Sequence, residues 1–430
     1  MKNILHLWIF INLLYFRSVA QPFPTLHADG SQLIGICGDT IVLRGLNYEP
    51  FNWGYDINDE KFSEIALTGA NCVRIPWYTS SNAAGGAPLF DQLQNLDTAI
   101  ARCIRNKMIA IVDLHDNTCN GDISLIATLS NWWLTPNVMA MINNHKQSII
   151  INIANEAGYV QWSGNAAAAL QDFKNTYQGI VTNFRNAGID VPLMIDAPDC
   201  GTDLDDLASI APYLQANDPS HNLIFSAHAY WYAYANNDSL TMRNKIINAL
   251  SQNVPIVLGE IANQQDDAAP CAFTLNYEAL LHICSGLNVP WLAWSWDHDF
   301  CPGRQISSNG YFANLTPYGF DIVHNTDYGL LMHSTITDYL AHDQVCNTGI
   351  QDLKSSGQVI DIRTFDNGIT LVSLVNGDMT INMYDLLSHR YQSFLLKGGE
   401  KKFLSLPNIH GVSFITAIFG NDIFTRKLIQ

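Results

Sequence analysis

The stretch Ile149-Ile150-Ile151-Asn152-Ile153-Ala154-Asn155-Glu156 decides how the rest of the chain is read. Its apolar, mostly β-branched residues run on without the polar alternation of a half-exposed strand, so the strand they form should be buried on both faces. It ends abruptly on two polar side chains. The same pattern recurs, predicting strands at Ile41–Leu46, Asn71–Ile75, Ile109–Asp113, Ile149–Ala154, Pro192–Ile195, Leu223–Ser226, Pro255–Leu258 and Trp291–Trp294. Amphipathic helices are expected between them, among them Asp97–Asn106, Ala166–Asn186 and Met242–Gln252; the last two stop before Gly188 and Pro255. Eight such units predict an α/β fold, a (β/α)8 TIM barrel. An open doubly wound sheet fits less well, because Leu46-Asn47-Tyr48 is not the Gly-rich turn that follows the first strand of such folds.

Beyond residue 348 the pattern changes. Val359–Ile362, Ile369–Val375, Met379–Tyr384, Tyr391–Leu396, Lys402–Leu406, Gly411–Phe419 and Asn421–Lys427 read as short strands separated by Gly, Asn, Asp or Pro turns, which predicts a small C-terminal all-β sandwich over 349–430. Composition divides at the same place. Residues 351–430 hold eight Lys/Arg and seven Asp/Glu, whereas the chain as a whole carries −17. All ten tryptophans lie at or before Trp296. A body this acidic repels phosphate backbones and anionic head groups, so nucleic acid and membrane surfaces are excluded as expected partners.

Residues 1–20 read as a signal peptide: Lys2, an apolar run from Ile4 to Phe16, then Ser18-Val19-Ala20 before the expected cleavage. That run is too short to span a bilayer, so the barrel unit (21–348) is expected to be secreted without membrane insertion. Export permits disulfides. The nine cysteines include no CxxC pair, Cys72 and Cys103 read as buried thiols, and Cys271 with Cys301 is the pair to test first.

In a barrel of this kind the residues just past each strand carry the chemistry. Strand four ends in Asn155-Glu156, and strand seven, Pro255-Ile256-Val257-Leu258, ends in Gly259-Glu260. Two carboxylates entering one mouth from opposite sides are what glycoside cleavage requires: one acid for the leaving oxygen and one carboxylate to attack or to activate water. Arg74 on strand two can hold a carboxylate ionised. His115 follows strand three, His228-Ala229-Tyr230 closes strand six, and Trp294-Ser295-Trp296 closes strand eight with an aromatic floor for a sugar ring. Which of Trp294 and Trp296 stacks is left open by the strand alternation.

These residues resemble glycoside hydrolase family 5, and most of all its bacterial endo-β-1,4-mannanases, through Gly69–Arg74, Ile150–Glu156, Arg185–Gly188, Pro192–Asp196, Ser226–Tyr230, Val257–Glu260 and Trp291–Trp296. The resemblance implies a retaining mechanism with Glu156 as acid/base and Glu260 as nucleophile, Asn155 on the substrate 2-hydroxyl, Tyr230 on the nucleophile, and Arg74, His115, His228 and Trp294 or Trp296 shaping the subsite at the cleaved bond. The implied partner is a β-1,4-linked polysaccharide (mannan, glucomannan or cellulose), bound without cofactor or metal by an expected monomer. The chain departs from that pattern at Asn117 and Cys119, at Ala229, at Ile261-Ala262, and in a long loop Asp297–Phe312. Its tail, through Ile381–Leu387, Leu406–Gly411 and Phe424–Gln430, resembles the sorting domains read by the type IX secretion system, which implies export by that machinery to the medium or the cell surface.

Other activities fit poorly. No Gly-x-Ser-x-Gly elbow supports a serine esterase. The carboxylates of the Asp199–Asp206 loop lack the spacing of a calcium loop. A cellulase of the same family is the near alternative; a glycan-binding protein on a decayed barrel would have no need of both Glu156 and Glu260.

Overall fold

The computed structural model describes residues 25–430 except 37, 52–60, 232–237, 266–270, 334–359, 366–367, 374–376, 385–389, 406–412, 420–421 and 429–430. Residues 1–20, expected as a signal peptide, and Cys37 and Cys346 therefore lie outside the described residues. The chain divides into two compact units, Met1–Thr348 and Gly349–Gln430.

The first unit is built on eight parallel strands: β1 (Arg44–Asn47), β2 (Cys72–Trp77), β3 (Ile109–Leu114), β4 (Ile149–Asn152), β5 (Leu193–Asp196), β6 (Leu223–His228), β7 (Ile256–Ile261) and β8 (Trp291–Ala293). They close into a barrel in chain order, β8 pairing with both β7 and β1. The expected strand Ile41–Leu46 is two elements. Thr40–Ile41 pairs with Gln32–Ile34 in a small antiparallel sheet, and only Arg44–Asn47 joins the barrel. The helix Ala166–Asn186 has the bounds read from sequence, with Asn165 as its N-cap and Gly188 at φ 90° just past its end.

Side chains two apart on a strand share a face, and that alternation builds the barrel interior in layers. At the lower end Ile109, Ile111, Ile150, Met194, Ile224, Val257 and Leu292 pack with Leu26, Leu33 and Ile41 into one buried apolar cluster. Two residues further along the strands come Arg74, Asp113, Asn152, Asp196 and Ser226, and two further still His228, all buried. The interior thus changes from hydrocarbon to charge as it approaches the C-terminal mouth. Among the described residues, no helix is long and apolar enough to cross a membrane.

The second unit contains β9 (Ile360–Phe365), β10 (Gly368–Ser373), β11 (Met379–Tyr384), β12 (Arg390–Leu396), β13 (Lys401–Ser405), β14 (Ser413–Phe419) and β15 (Asp422–Leu428). They form two antiparallel sheets, ordered β9-β10-β13 and β12-β11-β14-β15. Met379, Ile381 and Met383 are fully buried, the inward face of an alternating strand.

Candidate active site

Arg74 lies fully buried at the centre of the mouth. Its Nη1 donates to Glu260 Oε1 at 2.8 Å and to Asn47 Oδ1 at 3.1 Å. Nη2 donates to Asn155 Oδ1 at 2.6 Å and lies 3.2 Å from Asp113 and 3.4 Å from Asp196, while Nε donates to Asn152 Oδ1. Burial opposes the guanidinium charge, but Asp113, Asp196, Glu260 and Glu156 outweigh it and push the Arg74 pKa up. Removing one partner of such a buried network leaves uncompensated charge and typically costs about 3–5 kcal/mol. Arg74→Met should lose that much in urea unfolding at pH 7. A loss below about 1 kcal/mol would disprove this account of the site's cohesion.

Glu260 enters the site through an irregularity. β6 and β7 pair regularly up to Ala227 and Leu258, then shift register at Gly259, so that Glu260 stands beside His228. A bulge of this kind re-aims the next side chain. Only glycine fits there, because a Cβ on Gly259 would come within 2.4 Å of Ser226 Oγ. The two Glu260 oxygens are separately held, Oε1 by Arg74 and Oε2 by the Tyr230 hydroxyl at 2.8 Å. Burial, and then Glu260 itself, raise the Tyr230 pKa well above its ordinary value, so the phenol remains a donor.

Glu156 sits just past β4 with φ 50°, and its Oε1 is 2.6 Å from His228 Nδ1. Space for it comes from Gly201, where a Cβ would meet His228 Cγ at 2.9 Å and Glu156 Cγ at 3.1 Å. A carboxylate oxygen of Glu156, one of Glu260 and a ring nitrogen of His228 all lie within 4.8 Å of one another. The carboxyl groups of a retaining pair stand about 5–5.5 Å apart, against about 6.5–9.5 Å in an inverting pair.

Burial lowers the His228 pKa, but Glu260, Asp196 and Glu156 together outweigh burial and lift it to about 9. A histidine whose pKa rises on folding contributes stability that is fully present below its unfolded value of about 6.5 and is lost as pH climbs through the folded value. The lift from 6.5 to about 9 corresponds to about 3 kcal/mol. Unfolding free energy should therefore fall by about that amount between pH 6.5 and 9.5. In His228→Asn the slope should largely vanish; equal slopes in both proteins would show that His228 is not the group responsible.

His115 Nδ1 bonds Asp113 Oδ2 at 2.6 Å, and its ring stacks on Trp294 at 6.1 Å between centroids with Tyr78 edge-on at 5.7 Å. Trp294 is partly open and is anchored by its indole N–H to Asp299, which Arg304 also clamps. The long loop after β8 thus braces the aromatic wall. Trp296, expected as a substrate contact, is fully buried, with its indole N–H on the Gly310 carbonyl. Strand alternation does not continue past Ala293, where β8 ends, so the two tryptophans part ways: Trp294 lines the mouth and Trp296 belongs to the core.

The structure brings Arg74, His115, Asn155, Glu156, His228, Tyr230, Glu260 and Trp294 together. The sequence reading omitted Asn47, Asp113 and Asp196 from the site. Their signal was the arginine itself, since a cation on a strand buried on both faces needs buried anions, and Asp113 and Asp196 both fall at predicted strand ends. Also missed was the Cys119–Cys200 disulfide; the Cys271–Cys301 disulfide was the pair chosen to test. Cys72, Cys103 and Cys284 are free and buried, and burial pushes each thiol's pKa up, leaving them unreactive. Asp199 is engaged by the backbone N–H groups of Val160, Gln161 and Trp162, and Asp203 caps the helix Leu204–Asn217.

A carboxylate clamped by arginine and tyrosine, with an oxygen of a second carboxyl within 4.8 Å in the mouth of a TIM barrel, marks the chain as a glycoside hydrolase. It belongs to glycosyl hydrolase family 5, the cellulase family, whose model matches residues 34–300. Curated relatives include a mannan endo-1,4-beta-mannosidase of Salipaludibacillus agaradhaerens, 28% identical over 303 residues that cover 70% of this chain and 91% of that protein. An enzyme of the same name from Streptomyces lividans is 26% identical over 73% of this chain and 77% of its own length. Among solved structures, the β-mannanase of Thermomonospora fusca superposes with a TM-score of 0.62 over 74% of this chain and 99% of its own, at 20% identity.

Proposed function

We propose that the protein is a secreted, retaining endo-β-1,4-mannanase. The observation that carries the mechanism is the approach of a Glu156 carboxylate oxygen to within 4.8 Å of one of Glu260. The preference for mannan rests on the curated relatives that match over most of their own length and carry that name. Glu260 attacks the anomeric carbon while Glu156 gives its proton to the departing glycosidic oxygen, so one C–O bond forms as another breaks. Glu156, now ionised, then takes a proton from water as that water displaces Glu260. Two inversions restore the original configuration. Asn155 is oriented by Arg74 at Oδ1 and by Thr118 at Nδ2; its longer 3.4 Å approach to His115 is the one a sugar 2-hydroxyl would replace.

The signal-like start and the sorting-like tail support export, by the type IX route, to the medium or the cell surface, where a polysaccharide too large to be taken up would be met. The test is reducing-sugar release by residues 21–430 from galactomannan, glucomannan, carboxymethylcellulose and mixed-linkage β-glucan, with Glu260→Ala as control. Release from galactomannan establishes the mannanase. Release from the glucans alone makes it a cellulase, and a folded protein inert on all four overturns the enzymatic reading.

A further inference from the structure

Cys119 follows β3 and Cys200 follows β5, so their disulfide spans the end of β4, where Glu156 emerges between them. Three hydrogen bonds lace the same loops: Tyr159 Oη donates to the Cys119 carbonyl at 2.6 Å, Gly158 N to Asn120 O at 2.7 Å, and Asp199 N to Gly158 O at 2.9 Å. Cys119, Glu156, Asp199 and Cys200 all hold left-handed backbone angles, φ 50–57°, which non-glycine residues keep only where their surroundings over-determine them. The disulfide reaches the carboxyl directly, with Cys119 Sγ 3.7 Å from Glu156 Oε2. The other oxygen, Oε1, is on His228. A sulfur in a disulfide has no proton to donate, so Oε2 faces the disulfide without a donor among the described residues.

We propose that the Cys119–Cys200 disulfide is a positioning element for proton delivery: it fixes the Glu156 carboxyl so that Oε1 stays on His228 and Oε2 carries the transferable proton. This rests on the acid/base role of Glu156 given above. The disulfide ties the loop that sets the direction of Oε2. Without it, the loop can relax out of its left-handed turn and carry the carboxyl off line.

The test compares wild type with C119A/C200A on galactomannan and on a 2,4-dinitrophenyl β-mannobioside, whose leaving group departs without a proton. Values of kcat/KM are compared, since they report the first chemical step. The polymer value should fall about tenfold or more, the scale of a misplaced catalytic group, while the aryl value stays within about twofold. A parallel fall on both substrates, or no fall on either, would overturn the proposal, because a mere staple does not distinguish leaving groups. Tyr159→Phe, which keeps the disulfide and frees the Cys119 carbonyl, should shift the ratio the same way by about threefold and serves if the double variant does not fold. Wild type folded but inert on the aryl glycoside and on galactomannan, glucomannan, carboxymethylcellulose and mixed-linkage β-glucan alike would instead overturn the acid/base assignment on which the proposal stands.

Discussion

Replacing Glu260 with alanine should lower turnover on polysaccharide by at least about 10⁴ while leaving a folded protein. The size follows from what is removed. With no carboxylate 2.8 Å from Arg74, no glycosyl–enzyme bond can form, and the other route, direct water attack, lacks a base aimed at that face of the sugar. The fold should survive because Arg74 keeps Asp113 and Asp196 as partners. A second signature distinguishes this outcome from general damage. Glu260 is the largest of the charges that raise the His228 pKa, so its loss should move the alkaline fall in stability to lower pH. Turnover above about 1% of wild type would remove Glu260 from the nucleophile's role, and an unshifted stability profile would contradict the charge coupling to His228.

The barrel was legible because its strands are buried on both faces, which writes continuous apolar runs into the sequence. Strand ends were less so. β6 and β7 run past Ser226 and Leu258, the limits expected from hydrophobicity, because their last residues face a polar interior where charge is paired with charge. Glu156 and Glu260 could be read from their place after strands four and seven. The bulge at Gly259 could not, since register is fixed by the neighbouring strand and not by the residue itself. The same holds for Trp296, whose burial depends on where the chain turns after β8.

The departures from the mannanase pattern are also sorted by the structure. Ile261 and Ala262 are buried, and the Ile261 carbonyl accepts from Tyr318 and from Trp294 N, so that substitution is a packing change beneath the mouth. The loop after β3 is different. Thr118 bonds Asn155, Cys119 touches Glu156, and Asp116 holds Thr79 on the neighbouring strand's loop. Asp116 and Thr118 keep the family pattern, so of the departures in this loop it is Cys119 that bears on the site, at Glu156 and not at Glu260.

Glu156→Ala should divide substrates by their need for a proton. On galactomannan, kcat/KM should fall by about 10²–10⁴, the usual range for general acid–base catalysis. On 2,4-dinitrophenyl β-mannobioside kcat/KM should remain near wild type, because the phenolate leaves unaided and Glu260, still held by Arg74 and Tyr230, can attack. Turnover on that substrate should nevertheless drop, since water attacking the glycosyl–enzyme now lacks its base. Azide, an anion that needs no deprotonation, should restore it and yield a β-glycosyl azide. A single carboxyl that gives a proton in the first step and takes one in the second must, when removed, spare the first step if the leaving group is good and the second if the nucleophile is already charged. An equal loss on both substrates, or no response to azide, would mean that the group bonded to His228 is not the acid/base.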